Sequence, residues 1–367
     1  MPDSIVRRPW AWMGLGGVEH HDRGTLGTWH SGQPGHTSTR TGSVNAHMTT
    51  IGVHCSHEQI HPAQLLQDVQ RAEQFGFDAA MSSDHFSPWS ERQGHSGFAW
   101  AWLGAALATT SLPFGVVNAP GQRYHPAIIA QALGTLGAMF PGRIWAALGS
   151  GEASNEHITG DPWPPKEVRN ARLRECVEVI RRLLAGEEVT HQGLVTVSRA
   201  RLWSLPDPAP HLVGPAVSVT TAGEVAAWAD GLITVNQPHD KLRQMIDAYR
   251  DAGGKGPLRL QVHLSWDPSM QRAEAIAHDQ WRTNTFSPPA SWDIDSAETF
   301  DIASEHVPVE QVKQVVLVSD DLDRHAAWLA EFVELGFDEL FLHHVGQEQR
   351  AFQEAFADRV LPQLRGH

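Results

Sequence analysis

The residues of this chain that could move protons lie in short polar runs, each directly after an apolar run of strand length. The first run is Ser82-Ser83-Asp84-His85-Phe86-Ser87-Pro88-Trp89. Histidine beside a carboxylate is the usual acid–base group near neutral pH; the plainer reading is a turn with Asp84 as its cap. The second run, residues 118–126, carries two prolines and a glycine, which leave backbone groups unpaired and free to face a flat ring, or form a rigid connector. The third, residues 149–157, opens with Gly149-Ser150-Gly151 and places Glu152 beside them. Its glycines let a ligand approach the backbone, while Ser154 and Asn155 suit a helix cap. The fourth, residues 214–222, offers the hydroxyls of Ser218, Thr220 and Thr221 at a helix start, for an anion or for simple capping.

His54, His57 and His61 cluster near Glu58, and His57-Glu58-Gln59-Ile60-His61 spells H-E-x-x-H, but the run ends before the helix expected from Pro62 instead of lying on one, and no H-x-H spacing accompanies it, so a metal site is not expected. Trp89, Trp100 and Trp102, three of 14 tryptophans, wall a pocket or fill the core.

The elements that must position these groups alternate. Strands are expected at 50–54, 77–82, 113–118, 143–148, 211–214, 231–235, 258–265 and 338–345. Helices are expected at 62–75, 98–109, 127–139, 169–184, 221–229, 240–251 and 347–364, with a hairpin at 189–197. Such alternation builds a parallel sheet, and about eight units close it into an α/β (β/α)8 TIM barrel with insertions. An open dinucleotide-binding sheet would need its glycine-rich turn after the first strand, and here the nearest match follows the fourth. The stretch 283–306 is irregular and reads as a lid or a surface excursion.

With 367 residues and 41% hydrophobic content, the chain can fill one large barrel, expected over residues 48–367. Residues 1–47 differ in composition and read as a disordered leader or a mis-assigned start, with Met48 directly before the first strand. A net charge of −14 argues against nucleic acid or anionic membrane as partners, and no apolar run of membrane-spanning length occurs. Two distant cysteines, Cys55 and Cys176, fit a reducing, cytoplasmic compartment.

Several motifs in order resemble the luciferase-like superfamily, and within it the enzymes similar to F420-dependent glucose-6-phosphate dehydrogenase: S-D-H-F-x-P-W at 83–89, R-Y-H-P at 123–126, F-P-G-R at 140–143, G-S-G-E-x-x-N-E at 149–156 and G-F-D-E-L-F-L-H-H at 336–344. The match spans roughly residues 50–365, and the branch of probable non-F420 flavinoid oxidoreductases looks nearest. The resemblance implies a (β/α)8 oxidoreductase that moves hydride between a small organic substrate and FMN or coenzyme F420; the alternatives are an oxygen-using monooxygenase of the same fold and a non-catalytic flavin-binding protein. It implies His85 as the catalytic imidazole, Trp89 in the substrate pocket, Glu152 as the opposed acid or base and Glu58 as a supporting carboxylate. Asp84 and Asn155 would contact the cofactor, and Gly151 would lie against it. A cis-peptide bulge at Val117, Asn118 and Ala119 would lie behind its ring. Ser218, Thr221 and Ala222 would approach its phosphate. The resemblance is compatible with a homodimer. One departure stands out: Asn236-Gln237-Pro238 replaces the lysine that binds the substrate phosphate in the sugar-phosphate enzymes.

Overall fold

The computed structural model of the chain describes residues 49–365; the expected leader at 1–47 lies outside them. Eight parallel strands close into a barrel: β1 (Thr50–Cys55), β2 (Ala79–Ser83), β3 (Phe114–Asn118), β4 (Ile144–Leu148), β7 (His211–Pro215), β8 (Leu232–Val235), β9 (Leu258–Trp266) and β11 (Glu339–His344). They pair in that order, and β11 returns to β1. Between β4 and β7, β5 (Val189–Gln192) and β6 (Thr196–Ala200) form the expected antiparallel hairpin. An unforeseen strand, β10 (Leu317–Ser319), pairs with the outer half of β9. Leu264 meets β11 on one edge and β10 on the other, so β10 carries on the wall where β8 stops.

The principal barrel helices are α1 (Pro62–Gln74), α2 (Ala99–Thr109), α3 (Pro126–Met139), α5 (Lys166–Leu184), α7 (His239–Asp251), α8 (Met270–Trp281), α12 (Leu322–Glu334) and α13 (Arg350–Arg359). Shorter ones are α4 (Ala153–Glu156), α6 (Val219–Val225), α9 (Ala290–Asp293), α10 (Ala297–Ala303), α11 (Val309–Val312) and α14 (Leu361–Arg365). Local chemistry fixes the ends. His61 and His125 each accept a backbone N–H at the start of α1 and α3, and a proline follows in the first turn of each. After α1, Gly76 takes φ +87°, a conformation glycine adopts freely. On α1, Leu65, Val69 and Ala72 form the buried stripe.

Inside the ring, Met81, Trp145, Val213, Ile233 and Phe341 plug the lower barrel. Gly115 leaves room for the Trp145 ring, since a Cβ there would lie 2.1 Å from that ring. Trp100 and Trp102 belong to the main core rather than to a pocket wall. Polar side chains occupy the layer above the plug, at the carboxyl ends of the strands where barrels of this kind place their chemistry.

Three expectations are corrected. The stretch 283–306 is not irregular throughout: it holds α9 and α10. The helix expected at 221–229 is α6, which starts at Val219 because Ser218 is its cap and accepts the Thr221 N–H at 3.2 Å. The cis-peptide bulge is absent. Among the described residues the cis bonds are Asp207–Pro208 and Pro288–Pro289. At the expected place β3 stays in register with β4 through Asn118, and the Asn118 carbonyl accepts the Gly149 N–H at 2.8 Å, which leaves no slack for a bulge.

Candidate active site

His85 stands just beyond β2, between two carboxylates. Its Nδ1 lies 2.9 Å from Glu58 Oε1, and its Nε2 lies 3.8 Å from Glu152 Oε2. Glu58 comes from the loop after β1 and is buried. Ser83 donates to its Oε1 at 2.6 Å and Ser56 to its Oε2 at 2.8 Å. Burial works against the charge of Glu58, but the His85 imidazole and the two hydroxyls outweigh it and hold the carboxyl well below its usual range. For His85, burial lowers the pKa, and the Glu58 charge and hydrogen bond together with the Glu152 charge more than reverse this, so the imidazole titrates above 6.5. Burial pushes Glu152 the other way, upward from 4.5, partly opposed by His85. The site therefore pairs a firmly ionised carboxylate, a proton-retaining imidazole and a carboxyl that takes up a proton more readily than usual.

Asn155, from α4 after β4, accepts the Phe86 and Ser87 N–H groups at 2.8 and 3.3 Å and donates to Glu152 at 3.4 Å. Asp84 turns away from His85. It accepts from Asn118 Nδ2 at 2.8 Å and lies 3.7 Å from Arg123, whose guanidinium also donates to the Asp84 carbonyl at 2.7 Å. Arg123 further ties Glu156 through its backbone N–H at 2.6 Å. Trp89 packs edge-on to His85, with ring centroids 5.1 Å apart.

Two clefts meet at His85, Val117, Glu152, Val217 and Trp292. The first runs along Asp84, Asn118, Ala119, the 149–152 turn, Asn155, Ala216 and Thr221. It gathers most of the expected cofactor residues, including Val117 and Gly151. The second is walled by Glu58, Trp89, Ser218, Trp281 and Phe286 and floored by His54, His263 and His343. Ala222 lines neither cleft: it is fully buried in the core against the expectation, because α6 packs that face onto the barrel. Ser218 lines the second cleft, and its hydroxyl donates to Thr221.

The irregular stretch caps the second cleft and is tied down at both ends. On α10, Asp301 accepts from Ser90 Oγ at 2.7 Å and from the Glu91 N–H at 2.9 Å, and pairs with Arg92 at 2.7 Å. Near α9, Asp293 accepts from the Trp163 indole at 2.9 Å, and the Lys166 ammonium lies 4.1 Å from the Trp292 ring centroid.

Sequence reasoning missed His263, His343, Gln261 and Lys241. The first three alternate inward on strands whose apolar neighbours dominate the pattern, so period-two spacing was the one available signal. His54 was noticed only as a metal candidate. Among the described residues no group of three or more potential ligands is arranged to hold a metal ion.

A parallel barrel with an imidazole between carboxylates, where two clefts meet, defines an enzyme of the proton-coupled barrel class. Residues 44–339 match the family model of the luciferase-like monooxygenases, and the chain belongs to that family. It is an oxidoreductase of that family. It is 35% identical over 334 residues to an F420-dependent glucose-6-phosphate dehydrogenase of Beutenbergia cavernae, covering 87% of this chain and 98% of the relative. It is 34% identical to the enzyme of the same name from Nakamurella multipartita, covering 86% and 96%. Among solved structures, an F420-dependent secondary alcohol dehydrogenase in complex with an F420–acetone adduct superposes with a TM-score of 0.80 at 28% identity, covering 86% of this chain and 99% of that one. The F420-dependent tetrahydromethanopterin reductase of Methanopyrus kandleri shares the fold, with a TM-score of 0.69 at 18% identity and coverage of 86% and 99%.

Proposed function

We propose that the chain, over residues 48–367, is an alcohol-oxidising or carbonyl-reducing enzyme that exchanges hydride with a bound cofactor of the flavin type. We favour coenzyme F420 over FMN. The first cleft fits such a cofactor. Small residues, Val117, Ala119, Gly149, Gly151 and Ala216, line part of it, and it holds two buried oxygens, Asp84 Oδ1 and Asn118 Oδ1, that lack a donor among the described residues. A flavin-type ring and its polyol chain carry N–H and O–H donors of the kind those oxygens require. Val117, Asn118, Ala119 and Gly151 would lie against it, Asp84 and Asn155 would fix its edge, and Thr221 would stand at its far end, while Ser218 faces the second cleft. When bound, the cofactor supplies the hydride acceptor or donor.

The observation that carries the reading is the placement of His85, with Glu58 on one side and Glu152 on the other, where the two clefts meet. Neutral His85 accepts the substrate hydroxyl proton at Nε2, and Glu58 holds the other ring nitrogen and steadies the resulting positive charge. Glu152 stands on the Nε2 side, as a carboxylate or as an acid. Trp89 orients the substrate against His85. The relatives' names favour F420, and the reducing cytoplasm we assign suits the two buried free cysteines.

The test is direct. The purified chain is titrated with FMN and with F420, followed by the absorption of each. We expect micromolar binding of F420 and weaker binding of FMN; failure of both to bind overturns the reading. His85→Ala should retain cofactor binding and lose turnover by about 10²–10⁴-fold.

A further inference from the structure

The floor of the second cleft holds a chain of hydrogen bonds that fixes the protonation of two histidines. Gln59 Nε2 lies 2.5 Å from the Val345 carbonyl, which can only accept, so Gln59 must present nitrogen there and its oxygen elsewhere. That oxygen, Oε1, lies 2.8 Å from His343 Nε2, which must therefore carry the proton and donate. His343 Nδ1 is then a bare acceptor, and the group 3.2 Å from it on Gln261 must be the amide nitrogen. The other hydrogen of that NH2 group points to His263 Nε2 at 3.1 Å, so the remaining proton of His263 sits on Nδ1. The Val345 carbonyl thus sets the tautomer of His263 through three intervening side chains, Gln59, His343 and Gln261.

Two groups are left for a ligand, Gln261 Oε1 as an acceptor and His263 Nδ1–H as a donor. Both residues line the cleft from alternate positions of β9, and neither atom has a hydrogen-bond partner among the described residues. The histidines of the floor are uncharged. Burial lowers His54 to about 4 and His263 to about 3, and holds His343 well below its usual value. Among the described residues the lining holds two carboxylates, Glu58 and Glu152, and Lys241 as its one lysine or arginine, on the exposed start of α7. The buried imidazole of His85 is already paired with Glu58 at 2.9 Å, so a phosphate dianion would face two carboxylates with no unpaired buried cation to offset them. A hydroxyl group, which accepts one hydrogen bond and donates another, matches the free pair.

We propose that Gln261 and His263 form a specificity site for a second, uncharged hydroxyl of the substrate, and hence that the substrate is an unphosphorylated polyhydroxylated alcohol. This rests on the reading of the second cleft as the substrate cleft and goes beyond it in naming the class.

The test needs no cofactor for its first arm. In the full chain labelled with nitrogen-15 at histidine, His263 should appear as the neutral Nδ1–H form and His343 as the neutral Nε2–H form at pH 6. Sorbitol should shift the His263 resonance, and glucose 6-phosphate at the same concentration should not. A charged His263, the opposite tautomer, a resonance unmoved by sorbitol, or a response to glucose 6-phosphate alone overturns the proposal. In the second arm, once a bound cofactor is established, the ratio of kcat/KM for sorbitol to that for 2-propanol should fall about tenfold in Gln261→Leu. An unchanged ratio overturns the specificity role and leaves the oxidoreductase reading standing. Failure to bind any cofactor overturns that reading and leaves the first arm intact.

Discussion

Trp89 and Phe300 meet edge to face with ring centroids 5.3 Å apart, joining the loop after β2 to helix α10 of the cap. Phe300 is fully buried, so the wall that orients His85 leans on the cap for support. Phe300→Ala should cost about 3–5 kcal/mol of local stability and raise KM more than it lowers kcat. Steady-state kinetics with limited proteolysis would check it. An unchanged KM together with unchanged cleavage between residues 283 and 306 would count against the cap as part of the site.

Glu58→Gln keeps a partner for Ser56 and Ser83 but removes the charge that raises His85. With burial then opposed mainly by Glu152, the His85 pKa should fall below its present position above 6.5. If neutral His85 takes the proton, alcohol oxidation rises with pH through that pKa. The acid limb of the rate profile should therefore move to lower pH in Glu58→Gln, with a lower plateau. A limb that stays in place would mean that another group titrates.

Folding should weaken on the acid side. His54, His57 and His344 are buried and held uncharged down to about 4. Unfolding returns each to about 6.5, so the unfolded chain binds more protons as pH falls below that value. Stability contributed by these groups is complete above pH 6.5 and is lost progressively toward pH 4, at ~1.4 kcal/mol per pH unit for each group. His85 has the opposite sign: its contribution is present below pH 6.5 and lost as pH rises through its raised pKa. Urea midpoints measured from pH 7.5 to 5 would show the acid loss; a flat profile would contradict it.

Arg123 is 7% exposed at its side chain and stands between Asp84 and Glu156. Arg123→Ala should cost about 3–5 kcal/mol, because it strands two buried carboxylates. It should also weaken cofactor binding, since Asp84 loses its support. Arg123→Lys should recover only part of either, as an ammonium cannot reproduce the planar fork. Denaturant melts and cofactor titration of both variants would decide this.

Much of the barrel was legible in the sequence because its parallel strands are buried on both faces and read as short apolar runs, such as 144–148 with every residue buried. The polar residues at the ends of β2 and β4 were legible for the converse reason: Asp84, His85 and Glu152 interrupt those runs. What escaped lies in β9 to β11. His263 and Gln261 sit inside an apolar strand, and their meaning depends on Gln59, which approaches from the loop after β1. No local pattern reports such a contact. The length of β10, three residues, is too short for a periodic signal, whereas α12 carries an Asp321 cap and an apolar stripe that a closer reading would have found. Ala222 was misplaced because capping chemistry marks where a helix starts without fixing which face turns inward.

The way β9 shares its outer edge has a bearing on how this scaffold can change. One edge is served by β8 near its start and by β10 near its end, and the chain between β9 and β10 supplies the whole cap. The ring is thus spliced at one place, and the spliced-in piece touches the substrate cleft without bearing His85, Glu58 or Glu152. Residues 267–316 form a cassette that drift or engineering can rewrite to admit a different alcohol while the proton-handling strands stay untouched.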